Sequence, residues 1–198
     1  MSPWQASGSG GSLGRVRGVE IEELGRRIYA TAHLTGEFML RSGQVAGEYF
    51  DKYRFEGDPV LLDEIAAAMV PLVPADTEVL AGLEMGGIPV VTALGRHTGL
   101  PCAFVRKEAK AYGTRRLAEG AETAGRRVTI VEDVVTTGGQ IVLSTEQLRA
   151  LGATITHAVC VINRNPTTPE PLTNAGLTLL PLLTANDLAA HADQPRAG

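Results

Sequence analysis

Cysteine is scarce: there are two in 198 residues, Cys102 and Cys160, each inside an apolar run. Isolated thiols of this kind read as small buried hydrophobes, which argues against a disulfide framework or a cysteine metal site. A reducing, cytoplasmic compartment is the simplest expectation. Aromatic residues are only 5% of the chain, so the core must be built mainly from Val, Leu, Ile and Ala. A basic excess is also lacking: 18 Lys and Arg stand against 22 Asp and Glu, a net charge of −4. That argues against a general nucleic-acid binder. No apolar run is long enough to span a membrane. The first residues, MSPWQASGSGGSLG, lack the charged segment and apolar core of a signal peptide. Their Gly and Ser content predicts a flexible tail over residues 1–18. His33, His97, His157 and His191 are scattered, and none makes metal-ligand spacing with another.

What is present is an alternation of strand and helix patterns. Ile21, Leu24, Ile28 and Ala32 recur near one face and predict a helix from Val19 to about Leu34, ended by Gly36. Residues 38–50 hold apolar pieces around a Ser-Gly turn and predict two short strands. Asp58-Pro59 predicts a helix start, running to Pro71. Strands are then expected over 78–83, 102–107, 128–133, 155–164 and 177–184. Helices are expected from Pro89 to His97 and from Gly139 to Leu151, with a last helical turn after Asn186. Such alternation implies an α/β fold: a mainly parallel central sheet with helices on both faces. The first sixty residues break the pattern and predict an N-terminal helix and small hood over 19–57 on a single domain, 19–198. Residues 108–127 have no apolar periodicity, three glycines and many charges. An irregular stretch that long in a compact domain points to a functional loop.

One segment carries chemistry. Val128 to Gln140 reads VTIVEDVVTTGGQ. A buried strand runs into two carboxylates, Glu132 and Asp133, and then into a turn of hydroxyls and glycines. In open α/β sheets ligands bind beyond the carboxyl ends of the strands. Backbone N–H groups at a helix N-terminus form an anion site, and glycine admits a phosphate closely. The loop therefore offers acceptors for sugar hydroxyls and donors for a phosphate, which a ribose 5-phosphate satisfies together. Neither the P-loop nor the dinucleotide fingerprint is spelled here.

VTIVEDVVTTGG resembles the diphosphoribose-binding signature of the phosphoribosyltransferases. FVRKEAKAYG, 104–113, resembles the strand and mobile loop of the orotate phosphoribosyltransferases, with Arg106, Lys107 and Lys110 matching and Tyr112 where His is common. FMLRSG, 38–43, resembles that family's N-terminal motif, with Arg41 at its basic position. Tyr49-Phe50 falls where the family places aromatics beside the pyrimidine. Arg164 matches the Asp-Arg after the fourth strand, with Asn163 in place of Asp. GLEMGGIPV, 82–90, resembles the loop that meets diphosphate, with Gly86 where some members carry Lys.

The resemblance implies a type I phosphoribosyltransferase fold and transfer of phosphoribose from 5-phosphoribosyl 1-diphosphate to orotate, in pyrimidine biosynthesis. Glu132 and Asp133 would face the ribose, the backbone of Thr136, Thr137, Gly138, Gly139 and Gln140 would anchor the 5-phosphate, and Val134 and Val135 between them would belong to the same substrate-binding segment. Arg106, Lys107 and Lys110 would meet diphosphate. Arg164, Tyr49 and Phe50 would hold the base, with Arg41 a further substrate-binding residue and Tyr112 on the mobile loop 108–127. The cofactor would be Mg²⁺, held mainly by substrate and water. The partner would be a second copy sharing that loop, a homodimer, with neither nucleic acid nor membrane. A phosphoribosyltransferase for a purine, xanthine or uracil remains open, as does a non-catalytic sensor of the diphosphate donor.

Overall fold

The computed structural model describes residues 15–16, 19–39, 43–108 and 116–190. Two short strands, β1 (Arg15–Val16) and β2 (Val19–Glu20), pair antiparallel and lead into helix α1 (Ile21–Ala32). Its apolar face, Leu24, Ile28 and Ala32, is fully buried. The helix does not run on to Gly36. At His33 the chain passes directly into β3 (His33–Met39), which pairs antiparallel with β4 (Val45–Phe50), His33 facing Phe50. Cross-strand pairing there takes residues that a helical pattern alone would assign to α1. This hairpin is the expected hood.

A short helix, α2 (Tyr53–Glu56), follows, and then α3 (Pro59–Met69). Asp58 caps α3 by accepting from the N–H groups of Val60 and Leu61 at 3.0 and 3.1 Å. A cap of this type stabilises a helix by about 1 kcal/mol. Pro71 falls in a 3₁₀ turn, Val70–Leu72, that ends the run.

The remaining chain builds the sheet: β5 (Val79–Leu83), α4 (Gly87–Thr98), β6 (Cys102–Val105), β7 (Ala118–Gly120), β8 (Arg127–Val135), α5 (Gly139–Ala150), β9 (Thr154–Asn163), α6 (Glu170–Asn174), β10 (Thr178–Thr184) and α7 (Ala185–Ala189). The strand order is β10-β9-β8-β5-β6-β7. All neighbours are parallel except β6 and β7. Successive strand residues point to opposite faces, and both faces are covered. Leu80, Val131, Val159 and Val161 pack with α1, α3 and α4. Ala81, Ile130, Ala158 and Cys160 pack with α5 and α6. Buried on both sides, β8 reads as a nearly continuous apolar run, as parallel strands do.

The stretch 108–127 is not one long loop. Leu117 is buried, and Ala118–Gly120 form β7 on the sheet edge. Three residues of Ala, Glu and Gly carry no strand propensity of their own. The exposed edge of β6 supplies the pairing. Both cysteines are free thiols, and among the described residues no helix is long and apolar enough to cross a membrane.

Candidate active site

The strand order places a crevice where chemistry is expected. From β5 the chain winds outward to β6, then returns to β8 on the other side of β5. Ligands bind at such a switch point, outside the carboxyl ends of the diverging strands. Here the loop after β5 carries Gly86, and the turn after β8 carries Thr136 to Gly139.

Glu132 and Asp133 lie within β8, which runs two residues past them to Val135. Asp133 is fully buried, with Oδ1 accepting the Val134 N–H at 2.6 Å and Oδ2 lying 2.5 Å from Lys52 Nζ. Glu132 is partly exposed, and its Oε1 accepts the Asp133 N–H at 3.1 Å. Glu56, at 8% exposure, joins them from α2 and hydrogen-bonds Asp133.

These groups set one another's protonation. Burial, then the Asp133 carboxylate beside it, pushes Glu56 up to about 9. Burial and Asp133 likewise raise Glu132 well above the carboxylate range. Asp133 moves the other way: burial opposes its charge, but hydrogen bonds from Glu132, Glu56 and Lys52, with the Lys52 charge, outweigh it and lower its pKa. Lys52 is raised, because its bond and charge interaction with Asp133 overcome burial. The acids are thus pulled apart: Asp133 favours its charged form, while Glu56 and Glu132 favour the protonated one.

Gly86 is the lid over this cluster. A Cβ there would lie 1.8 Å from Asp133 Oδ2, so no other residue fits without moving the acid. This explains the glycine at a position where some relatives by resemblance have Lys.

The turn after β8 is open where a phosphate would need it. Thr136, Thr137 and Gly139 are exposed, and the twelve-residue α5 begins there. Gly138 has φ 76°, a left-handed conformation that favours glycine, and a Cβ would meet Leu172 at 2.8 Å. Gln140 turns its amide to Ser144 at 3.1 Å. Val134 and Val135, expected among the substrate-binding residues, precede the turn. Both are strand residues packed into the cores on opposite faces, so their side chains are spent there.

On the acceptor side, a cleft of about 390 Å³ is lined by Tyr49, Phe50 and Arg164 together with Tyr29, His33 and Glu48. The Arg164 guanidinium carbon lies 6.0 Å from the Phe50 ring centre, at the outer range of a cation–π contact. The three residues expected to hold a base are thus brought together. Arg164 is placed by its backbone: its N–H donates to Val135 O at 2.9 Å. Tyr29 and His33 stack with centres 4.6 Å apart, and His33 Nε2 is 3.2 Å from Glu48 Oε2.

Arg106 and Lys107 follow β6 on the far side of β5. The Arg106 guanidinium is 3.9 Å from Glu119 of β7, and the Lys107 N–H donates to Glu84 Oε1 at 2.6 Å. The Lys107 side chain is exposed. Arg41, Lys110 and Tyr112 lie outside the described residues.

Sequence reasoning missed Lys52, Glu56 and Asn165. Lys52 and Glu56 stand in DKYRFE, a charged stretch that reads as a solvated face, and nothing in its spacing ties it to a strand eighty residues away. Asn165 donates from Nδ2 to Thr136 O and to Asn163 Oδ1, bracing the phosphate turn against the end of β9. Asn163 donates to Thr167 O at 3.0 Å, a bond the Asp common in the resembling family could not give.

Comparison with known proteins agrees with this geometry. Residues 60–177 match the phosphoribosyl transferase domain family. An orotate phosphoribosyltransferase from a Nocardioides species is 53% identical over 163 residues, 82% of this chain and 91% of that protein. One from Halobacterium salinarum is 41% identical over 153 residues, 77% and 87% of the two chains. The crystal structure of Mycobacterium tuberculosis orotate phosphoribosyltransferase in complex with Fe(III) dicitrate superposes with a TM-score of 0.77 at 31% identity, covering 85% of this chain and 98% of that one. The same enzyme in complex with 5-phospho-alpha-D-ribosyl 1-diphosphate gives 0.73 at 27% identity, with the same coverage of each chain. With the acidic strand, the open turn and the base-side cleft arranged around one switch point, the chain belongs to the phosphoribosyltransferase family, among the orotate phosphoribosyltransferases.

Proposed function

We propose that this chain transfers the phosphoribosyl group of 5-phosphoribosyl 1-diphosphate to a ring nitrogen of orotate, giving orotidine 5′-monophosphate and diphosphate. The observation that carries the reading is the crevice between β5 and β8. It has an acidic pair on one strand, an exposed amide-rich turn beyond it, and an arginine with aromatics across it.

Breaking the C1–O bond builds positive charge on the ribose, as in oxocarbenium-like glycosyl transfer. Glu132 and Asp133 hold the ribose hydroxyls and face that charge. The N–H groups from Thr136 to Gln140 anchor the 5-phosphate, which positions C1 for attack. Arg164 takes the orotate carboxylate as a bidentate partner, with Tyr49 and Phe50 against the ring. Arg41 at its basic position adds a donor on the same side. Lys107, Arg106 and Lys110 donate to the diphosphate oxygens, Arg106 turning from Glu119 to do so. The Gly86 backbone approaches the same group.

Among the described residues no cluster of three or more His, Cys, Asp or Glu side chains is set to hold a metal ion. The acids at the crevice are engaged with one another and with Lys52. Magnesium fits this chain as a companion of the donor, whose diphosphate and ribose oxygens, with water, supply its hard ligands. Bound so, it would offset the negative charge gained by the leaving group. The short stretch around Lys110 and Tyr112 covers the site and is shared with a second copy in a homodimer.

The test is diphosphate release from the donor with magnesium and a panel of bases. Release with orotate and not with uracil or purines is expected. Release with another base alone overturns the acceptor, and release with none overturns the enzymatic reading. Lys110→Ala should lower turnover by about two to three orders of magnitude, the scale for removing one positioned transition-state donor, while leaving the fold intact. Near-normal turnover would remove its role.

A further inference from the structure

The mechanism above uses Asp133 but leaves its partners unused. In the ligand-free chain Asp133 is buried beneath the Gly86 backbone, with one oxygen held by the Val134 N–H and the other against Lys52. Lys52 immediately precedes α2, and Glu56 closes that helix four residues later. Both come from the segment that directly follows Tyr49 and Phe50 of the acceptor cleft. A lone buried carboxylate takes up a proton or turns toward water. One cation set among three carboxyl groups prevents both. Burying such a cluster is costly, and an apolar packing would serve stability as well or better. The charges therefore ask for another reason to be there.

We propose that Lys52, assisted by Glu56, is a positioning residue for the donor: the two clasp Asp133 from the hood and hold its carboxylate beneath the Gly86 backbone, where the ribose hydroxyls arrive. This rests on the reading that Asp133 meets the ribose. The clasp ties the hood to β8 by a charge-assisted bond, so the element that lines the acceptor cleft also aims a donor-binding acid. Glu56 completes it as a neutral partner, buried on α2 beside Asp133.

Calorimetric donor binding and steady-state kinetics on the full chain test this. Lys52→Met should raise the donor Kd and KM by about tenfold to a hundredfold, the cost of a misaimed contact, with the orotate KM changed far less. Glu56→Gln keeps a neutral hydrogen-bond donor and should bind the donor nearly as the parent does, whereas Glu56→Ala should not. Circular dichroism and thermal melting check that each variant folds, and the Glu56 pair decides the matter where Lys52→Met does not. Unchanged donor binding in Lys52→Met, equal weakening of both substrates, or a Glu56→Gln variant as impaired as Glu56→Ala each overturns the clasp. Asp133→Asn is the reference. If it binds the donor normally, the ribose reading itself fails. If it is impaired while Lys52→Met is not, the ribose reading stands and the clasp alone is wrong.

Discussion

At the scale of single residues, the protonation of Glu56 makes the stability of this protein depend on pH. Its carboxyl is raised from an ordinary 4.5 to about 9 in the folded chain. Between those values the folded state keeps a proton that the unfolded state has released. Stability then falls as pH rises through the window, because the slope follows the difference in bound protons, unfolded minus folded. Glu132, also raised, adds to the same slope. Asp133, lowered, acts oppositely and only below its ordinary 3.8. Lys52 and Asp51 face Glu56 as well and temper the effect in opposite directions. Glu56→Gln removes one proton's share, which is at most ~1.4 kcal/mol per pH unit. Urea denaturation at several pH values across the window should show the variant losing stability less steeply toward the alkaline end than the parent. Parallel curves would mean that Glu56 is already ionised at neutral pH.

At the scale of elements, the phosphate turn is braced from outside itself. Asn165, after β9, holds Thr136 O, while Asn163 anchors Asn165 and reaches Thr167. Asn165→Ala removes that brace without touching the core. Losing one net hydrogen bond of about 1 kcal/mol should weaken donor binding by roughly fivefold to tenfold, read by calorimetry, with little change in melting temperature. An unchanged donor affinity would show that α5 and Gly138 hold the turn alone. The same pattern explains what could be read beforehand. The parallel strands, α3 with its Asp58 cap, and the strand-to-turn passage at β8 are local events, written in apolar runs, caps and glycines that lie next to each other. Tyr49, Phe50 and Arg164 were legible by resemblance and do converge on one cleft. The end of α1, the edge strand β7 and the Lys52–Glu56 pair were not. Each is decided by a partner distant in the chain: β4 for His33, β6 for Ala118–Gly120, Asp133 for the charges of α2. Val134 and Val135 stand in the motif, but their side chains are taken by the cores on the two faces of the sheet, which leaves only their backbone to the crevice.

At the scale of the whole molecule, the proposed sharing of the loop between subunits makes two inactive variants able to rescue each other. If Lys110 of one subunit completes the site of the other, a Lys110→Ala chain and an Asp133→Asn chain fail in complementary ways. In a mixed dimer, one site receives both defects and the other receives none. Random reassociation of equal amounts makes half of the dimers mixed, each with one intact site, so about a quarter of the parent's activity should return. If the loop serves its own subunit, every site keeps one defect and mixing restores nothing. Sedimentation of the parent chain first establishes the dimer. The two variants are then unfolded together, refolded and assayed against each refolded alone. The hairpin gives a second copy something to cover: Met39 and Val45 are 76% and 60% exposed. They face each other across the hairpin and would offer a small apolar patch to the proposed second copy. Charge at that patch, as in Val45→Asp, should therefore shift the parent toward monomer and lower activity with it, because a loop borrowed from a neighbour is lost when the neighbour leaves. A monomer of full activity would separate the patch from the site and refute the shared loop.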